Sequence, residues 1–266
     1  MYFNFLKATE GATIQDEKFV DHWSICRDAG LACGAYHFLR PLSDATAQAN
    51  NFITQYKKVS RAGVLPPVVD VEWAKGSNGN EQWAQLTAAD RVLKVKTFVA
   101  AVEAGLNVKP IIYTAPAFWR DFMDPGCTDA DTQLFSNFKL WVVDLRNTGT
   151  LPKPWLTAGA PFVQYHFGEQ ATTPELYDKM DQNKFPGTLK SFFNIMAPNF
   201  TIMKGFPFSF MVKDIQDKLV ALGKLAADGA DGLFGTNTET AIKAFQGENG
   251  LFVNGIIDAQ TWNKLL

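Results

Sequence analysis

Over roughly the first two thirds of the chain, short apolar runs alternate with segments of helical periodicity. Phe3–Lys7 reads as a strand. Glu17–Asp28 carries Phe19, Val20, Trp23 and Cys26 at helical spacing and stops before Gly30. Cys33–Phe38 is strand-like and Ala45–Tyr56 helical. Val64–Val71 is apolar almost without interruption, as in strands buried on both faces. Thr87 caps a further helix whose Val92, Val95, Phe98, Val99 and Val102 line one side. Pro110–Thr114, Leu140–Val143 and Pro161–Tyr165 complete the strands. This alternation predicts an α/β fold with a parallel sheet and helical crossovers, either a barrel or a doubly wound sheet. No glycine-rich phosphate fingerprint follows any strand, which weighs against nucleotide binding.

Near residue 186 the pattern changes. The stretch 186–210 contains six phenylalanines, whereas a flexible linker is polar and rich in Gly and Ser. It is therefore expected to be packed, joining two parts of the chain. Beyond it Ile215, Leu219, Val220 and Leu222 line a helix that stops at Gly223. Thr236 and Glu239 have the spacing of a capping box for a helix carrying Ala241, Ile242, Ala244 and Phe245. A last helix from about Asp258 buries Trp262, Leu265 and Leu266. The expected organisation is a large α/β unit over 1–186, a packed linker over 187–210 and a small all-α three-helix unit over 211–266.

Composition narrows the function classes. A formal net charge of −2 lacks the basic footprint of a nucleic-acid binder. No apolar run approaches the ~20 residues of a membrane span. The opening MYFNFLKATEG has no basic segment followed by an apolar one, so no secretory signal is expected from it. Cys26, Cys33 and Cys127 lack metal-ligand spacing and read as reduced, mostly buried thiols. His22, His37 and His166 show no ligand spacing either, so no metal or cofactor is expected.

The candidate chemistry lies in PPVVDVEW, residues 66–73. Side chains two apart on a strand project to the same side, so Asp70 and Glu72 point together. At the C-terminal end of a barrel strand they would lie where barrel active sites are built. Like charge raises one pKa of such a pair and desolvation raises both. Glycosidic cleavage uses one carboxyl that holds a proton and one that carries charge. Spacing alone equally allows two strand-end acids paired with Lys or Arg, or a metal site.

Neighbouring segments separate these readings. FLKATEG (5–11), GAYHFLRP (34–41), PPVVDVEW (66–73), PIIYTAPAFW (110–119), LWVV (140–143) and FVQYHFGE (162–169) occur in that order. The series resembles glycoside hydrolase family 25, the Chalaropsis-type lysozymes, over roughly residues 2–186. The resemblance implies an irregular β/α (TIM-like) barrel that cleaves the β-1,4 bond between N-acetylmuramic acid and N-acetylglucosamine without a metal. It implies Glu72 as proton donor, Asp70 as its ionised partner, and Asp181 in MDQNKF as a further acid. Tyr36, Tyr113, Trp141, Gln164 and Tyr165 fall where cleft residues are expected; Lys7 and Glu10 are expected to brace the rim. Two departures stand out. The family's usual first strand, with its Asp, has no counterpart here: either the chain is a fragment of a longer protein, or the strand is supplied otherwise, or the enzyme works without it, the fragment being slightly favoured. Asp144 after LWVV is either an extra site acid or half of an ion pair with Arg146, the pair being favoured.

VKDIQDKLVALGKL (212–225), DGLFGTNTETAIKAFQGENGL (231–251) and VNGIIDAQTWNKL (253–265) resemble the type 1 peptidoglycan-binding domain. That resemblance places wall binding beside Asp231, Phe234 and Asn237. The combined expectation is a monomeric peptidoglycan hydrolase acting outside the cytoplasm, as an endolysin released by phage lysis or as an effector toxin. In the second case secretion machinery and an immunity protein are expected partners. The alternative is a catalytically silent wall-binding protein with a degenerate barrel.

Overall fold

The computed structural model describes residues 3–59, 65–168, 181–196, 201–206 and 209–266. Its strands are β1 (Phe3–Glu10), β2 (Ile14–Gln15), β3 (Ala32–Phe38), β4 (Val68–Asp70), β5 (Ile111–Thr114), β6 (Lys139–Val143), β7 (Phe162–His166) and β8 (Gln182–Lys184). They form one sheet in the order β2-β1-β3-β4-β5-β6-β7-β8. The run from β1 to β7 is parallel, and the two ends, β2 and β8, are antiparallel. Val64 of the predicted strand and Glu169 of FVQYHFGE lie outside the described residues. The strand itself starts later than predicted, at Val68, because Pro66 and Pro67 have no N–H to give to a ladder.

Strand alternation sorts the side chains into two sets. Outward-facing Ala8, Cys33, Ala35, His37, Val69, Val71, Ile112, Leu140 and Val142 pack beneath three helices: α1 (Phe19–Asp28), α2 (Ala45–Tyr56) and α3 (Ala88–Leu106). His37 belongs to this structural set. It is fully buried, stacks on Phe98 at 4.7 Å and is held by Thr9 and Gln48. Two shorter helices, α4 (Pro116–Phe118) and α5 (Asp129–Ser136), follow β5.

Inward-facing Phe5, Ala32, Val68, Ile111, Trp141 and Phe162 form a second core inside the rolled sheet. Rolling brings β1 against β6 and β7: Phe5 stacks on Trp141 at 4.3 Å and meets Phe162 edge-on at 5.3 Å. Gly34 makes room for this, since a Cβ there would come within 2.2 Å of the Phe5 ring.

These floor residues lie at or near the N-terminal ends of the strands, and the rest of the chain docks there. Phe192 of α6 (Leu189–Phe193) reaches Phe3 at 5.6 Å, while the adjacent Phe193 stacks on Trp262 at 3.8 Å. Arg27 lies over Phe206, and Ile202 bridges to Ile257. Residues 197–200 and 207–208 of the Phe-rich stretch lie outside the described residues.

The helical unit comprises α7 (Phe210–Ala221), α8 (Thr236–Glu248) and α9 (Ala259–Leu265). Two buried glutamines build its turns alike. Gln216 donates to Asp231, Leu233 and Thr238 and accepts from Gly232. Gln246 donates to Asn254, Ile256 and Thr261 and accepts from Asn254 and Gly255. Gln246→Ala should cost about 2 kcal/mol, because it strands several buried main-chain groups at once; chemical denaturation of the full chain measures it. The expected capping box does not form. Gly235 is the N-cap of α8, and the Glu239 carboxylate is taken by Lys243 and Lys204. Among the described residues no helix is long and apolar enough to cross a membrane.

Candidate active site

The mouth of the rolled sheet opens at the C-terminal ends of the strands, opposite the aromatic floor. Asp70 ends β4, held on both sides by the ladder: its carbonyl accepts from Leu39 and the next N–H, of Val71, donates to Tyr113. Glu72 follows after Val71, which is buried in the outer core. The chain then turns away, and the turn is fastened. Trp83, fully buried, donates its indole N–H to the Glu72 carbonyl at 2.8 Å. Glu81 in turn accepts from the N–H groups of Ala74 and Trp83. Neither Trp83 nor Glu81 stands out in the sequence.

The two acids differ in depth. Asp70 is buried, and its Oδ1 has no hydrogen-bond partner among the described residues. Burial pushes its carboxyl well above the usual range, and the neighbouring Glu72 charge adds to this. Glu72 is raised to about 7, first by burial and then by the charge of Asp181, with Lys7 pulling the other way. An unpaired carboxyl this deep favours its neutral form.

Asp181 is exposed and accepts from the N–H of Gly168 at 3.0 Å. Tyr36 and Tyr113 face the acids: burial and then the charges of Asp70, Glu72 and Asp181 hold both phenols above their ordinary range. The Tyr113 hydroxyl donates to Gln164 Oε1 at 2.6 Å, and both side chains are buried. Trp141 is less a free sugar platform than a wall. Phe5 covers one face, Tyr113 meets it at 4.6 Å, and its N–H donates to Asn183 at 2.9 Å. Tyr165 is tied to β8, donating to Gln182 at 2.9 Å with Lys184 over its ring.

Other candidates are placed elsewhere. Asp144 makes no ion pair with Arg146; its two oxygens already accept from Thr148 and Gly149 and close a turn. In the helical unit Phe234 is a core residue, Asp231 shapes a turn through Leu233 and Gln216, and Asn237 is exposed at the start of α8. Cys26 and Cys33 are buried and Cys127 half-buried, all as free thiols. Among the described residues no cluster of three His, Cys, Asp or Glu side chains could hold a metal ion.

Comparison with known proteins gives this geometry a context. The family model described as "Glycosyl hydrolases family 25" matches residues 1–174, and the one described as "Putative peptidoglycan binding domain" matches residues 211–265. The chain is 34% identical over 119 residues to "Uncharacterized protein YegX" of Escherichia coli (strain K12), covering 45% of this chain and 40% of that one. It is 28% identical over 191 residues to "Lysozyme M1" of Streptomyces globisporus, covering 71% of this chain and 61% of that one. The bacterial lysozyme structure from Streptomyces coelicolor matches with a TM-score of 0.62 at 26% identity, over 75% of this chain and 88% of that one. The chain thus spans less than two thirds of the length of these two curated relatives.

Proposed function

The chain belongs to glycosyl hydrolases family 25, and on that premise we propose that it hydrolyses the β-1,4 bond between N-acetylmuramic acid and N-acetylglucosamine in peptidoglycan. The observation that carries this reading is the Asp70–Glu72 pair at the mouth of the sheet, with Glu72 raised to about 7. A carboxyl that keeps its proton to near neutrality is suited to protonate a glycosidic oxygen. The Asp70 carboxyl, held above its usual range by burial, gives up its proton most readily beside developing positive charge, that is, at an oxocarbenium-like transition state. Asp181 contributes negative charge that holds the proton on Glu72. Tyr113 and Gln164, locked to each other, shape the wall beside the reacting sugar. The printed names of two relatives, "Lysozyme M1" and the lysozyme of Streptomyces coelicolor, support the same substrate.

The helical unit is assigned wall binding, which raises the local concentration of substrate. Digestion of purified peptidoglycan with mass spectrometry of the products tests the proposal. Fragments ending in reducing N-acetylmuramic acid support it. No release anywhere between about pH 4 and 8 leaves a silent wall-binding protein in its place.

The pH profile has a definite sign. Glu72 must be protonated to act, so activity should fall about tenfold per pH unit once the pH rises past about 7. The drop in turbidity of a wall suspension follows this directly. Because the substrate is extracytoplasmic, the role as endolysin or effector depends on delivery. Expression in the cytoplasm should leave cells intact, whereas fusion to an export signal should lyse them.

A further inference from the structure

Glu10, at the end of β1, is shared by two cations. Its Oε2 accepts from Lys7 Nζ at 2.6 Å, and its Oε1 accepts from Arg40, whose Nε lies 2.7 Å away. Both cations also lie over the Phe38 ring, at 5.5 and 4.9 Å from its centroid. Arg40 is further committed, donating to the Lys75 carbonyl at 3.1 Å. Lys7 continues the inward series of Phe3 and Phe5 on β1, up to the register shift between Lys7 and Thr9. Register sets Glu10 beside Phe38 and Phe38 beside Asp70, so the ammonium bound to Glu10 stands on the inner face of the sheet at the level of Asp70. Two positive charges on one carboxylate leave an excess on that face.

We propose that Lys7 is a positioning residue of the reaction, whose charge sets the pH range over which the Asp70–Glu72 pair holds its transferable proton. The inference rests on the proposed hydrolysis and adds a residue to it. The charged groups facing the pair are Glu10 and Asp181, which favour retention of protons, and Lys7, which opposes it. Tyr36 and Tyr113 are neutral at working pH. Lys7 lowers both carboxyls, whereas Glu10 raises Asp70. Burial raises both carboxyls, and Lys7 draws them back toward the range in which one acid can release a proton.

Three variants of the full chain test this. Lys7→Met should move the alkaline limb of the rate profile up by about 0.5–1 pH unit. Glu10→Gln should move it down, because it removes a negative charge and frees the lysine. Lys7→Arg keeps the cation and should leave the limb in place. Met and Gln variants break the same ion pair, so a bracing role alone predicts equal losses of rate with both limbs unmoved. That result, or a Lys7→Met limb shifted to lower pH, overturns the proposal. An NMR titration of the Glu72 side-chain carboxyl reads the same shifts without catalysis. An inactive wild-type enzyme would thus count against the hydrolysis reading, while the action of Lys7 would still be decided by the titration.

Discussion

Glu72→Gln is expected to lower peptidoglycan turnover by about 10³-fold while leaving the protein folded. The amide keeps the size of the side chain and its place after Val71, but it has no proton to give to a leaving oxygen. A second consequence concerns stability. The folded-state pKa of Glu72 is raised from 4.5 to about 7, so the wild-type protein is penalised as the carboxyl ionises. The penalty is absent below about pH 4.5 and grows as the pH rises through about 7. Glutamine carries no such penalty. The variant should therefore melt at the wild-type temperature near pH 4 and above it near pH 8. Less than about a tenfold loss of rate would remove Glu72 from its role. Equal melting differences at both pH values would show that its carboxyl is not perturbed.

The largest structural effect is expected at the junction. Trp262 is fully buried, stacks on Phe193 at 3.8 Å, and its indole N–H has no hydrogen-bond partner among the described residues, so its contribution is packing. Trp262→Ala should cost about 3–5 kcal/mol, the range for removing a buried aromatic ring. The loss should fall on the helical unit and its seat. Thermal unfolding of the full chain should split, with an early transition absent from the wild type. Sedimentation with intact walls should weaken, while hydrolysis of soluble glycan fragments persists. A Phe193→Ala variant should lose less, and the double variant less than the sum, because the two rings stack on each other. Strict additivity would mean that the stacking contributes nothing.

Much of this arrangement is legible in the sequence because it depends on periodicity. The helix at Ala45–Tyr56 has the same bounds in both readings, and the same-side projection of Asp70 and Glu72 follows from strand alternation. Other features are not legible, each for a physical reason. Apolar character runs through Pro66 and Pro67 and hides where the ladder of β4 begins. α5 is short and polar, and only its Thr128–Asp131 capping box announces it. Thr236 and Glu239 have the same box spacing, but competing lysines take the carboxylate. The unequal depth of Asp70 and Glu72 depends on how the sheet rolls, which local pattern does not encode.

The aromatic floor has one more consequence. With Phe3, Phe5, Phe162 and Phe192 filling the N-terminal end of the rolled sheet, the cleft is a blind well rather than a tunnel. Under the proposed function, a glycan strand would have to arrive and depart through the same opening. The helical unit is seated at the floor end, away from that opening. If it holds the wall as proposed, it works as a mooring, and its span fixes how far from the anchor point the cleft can graze.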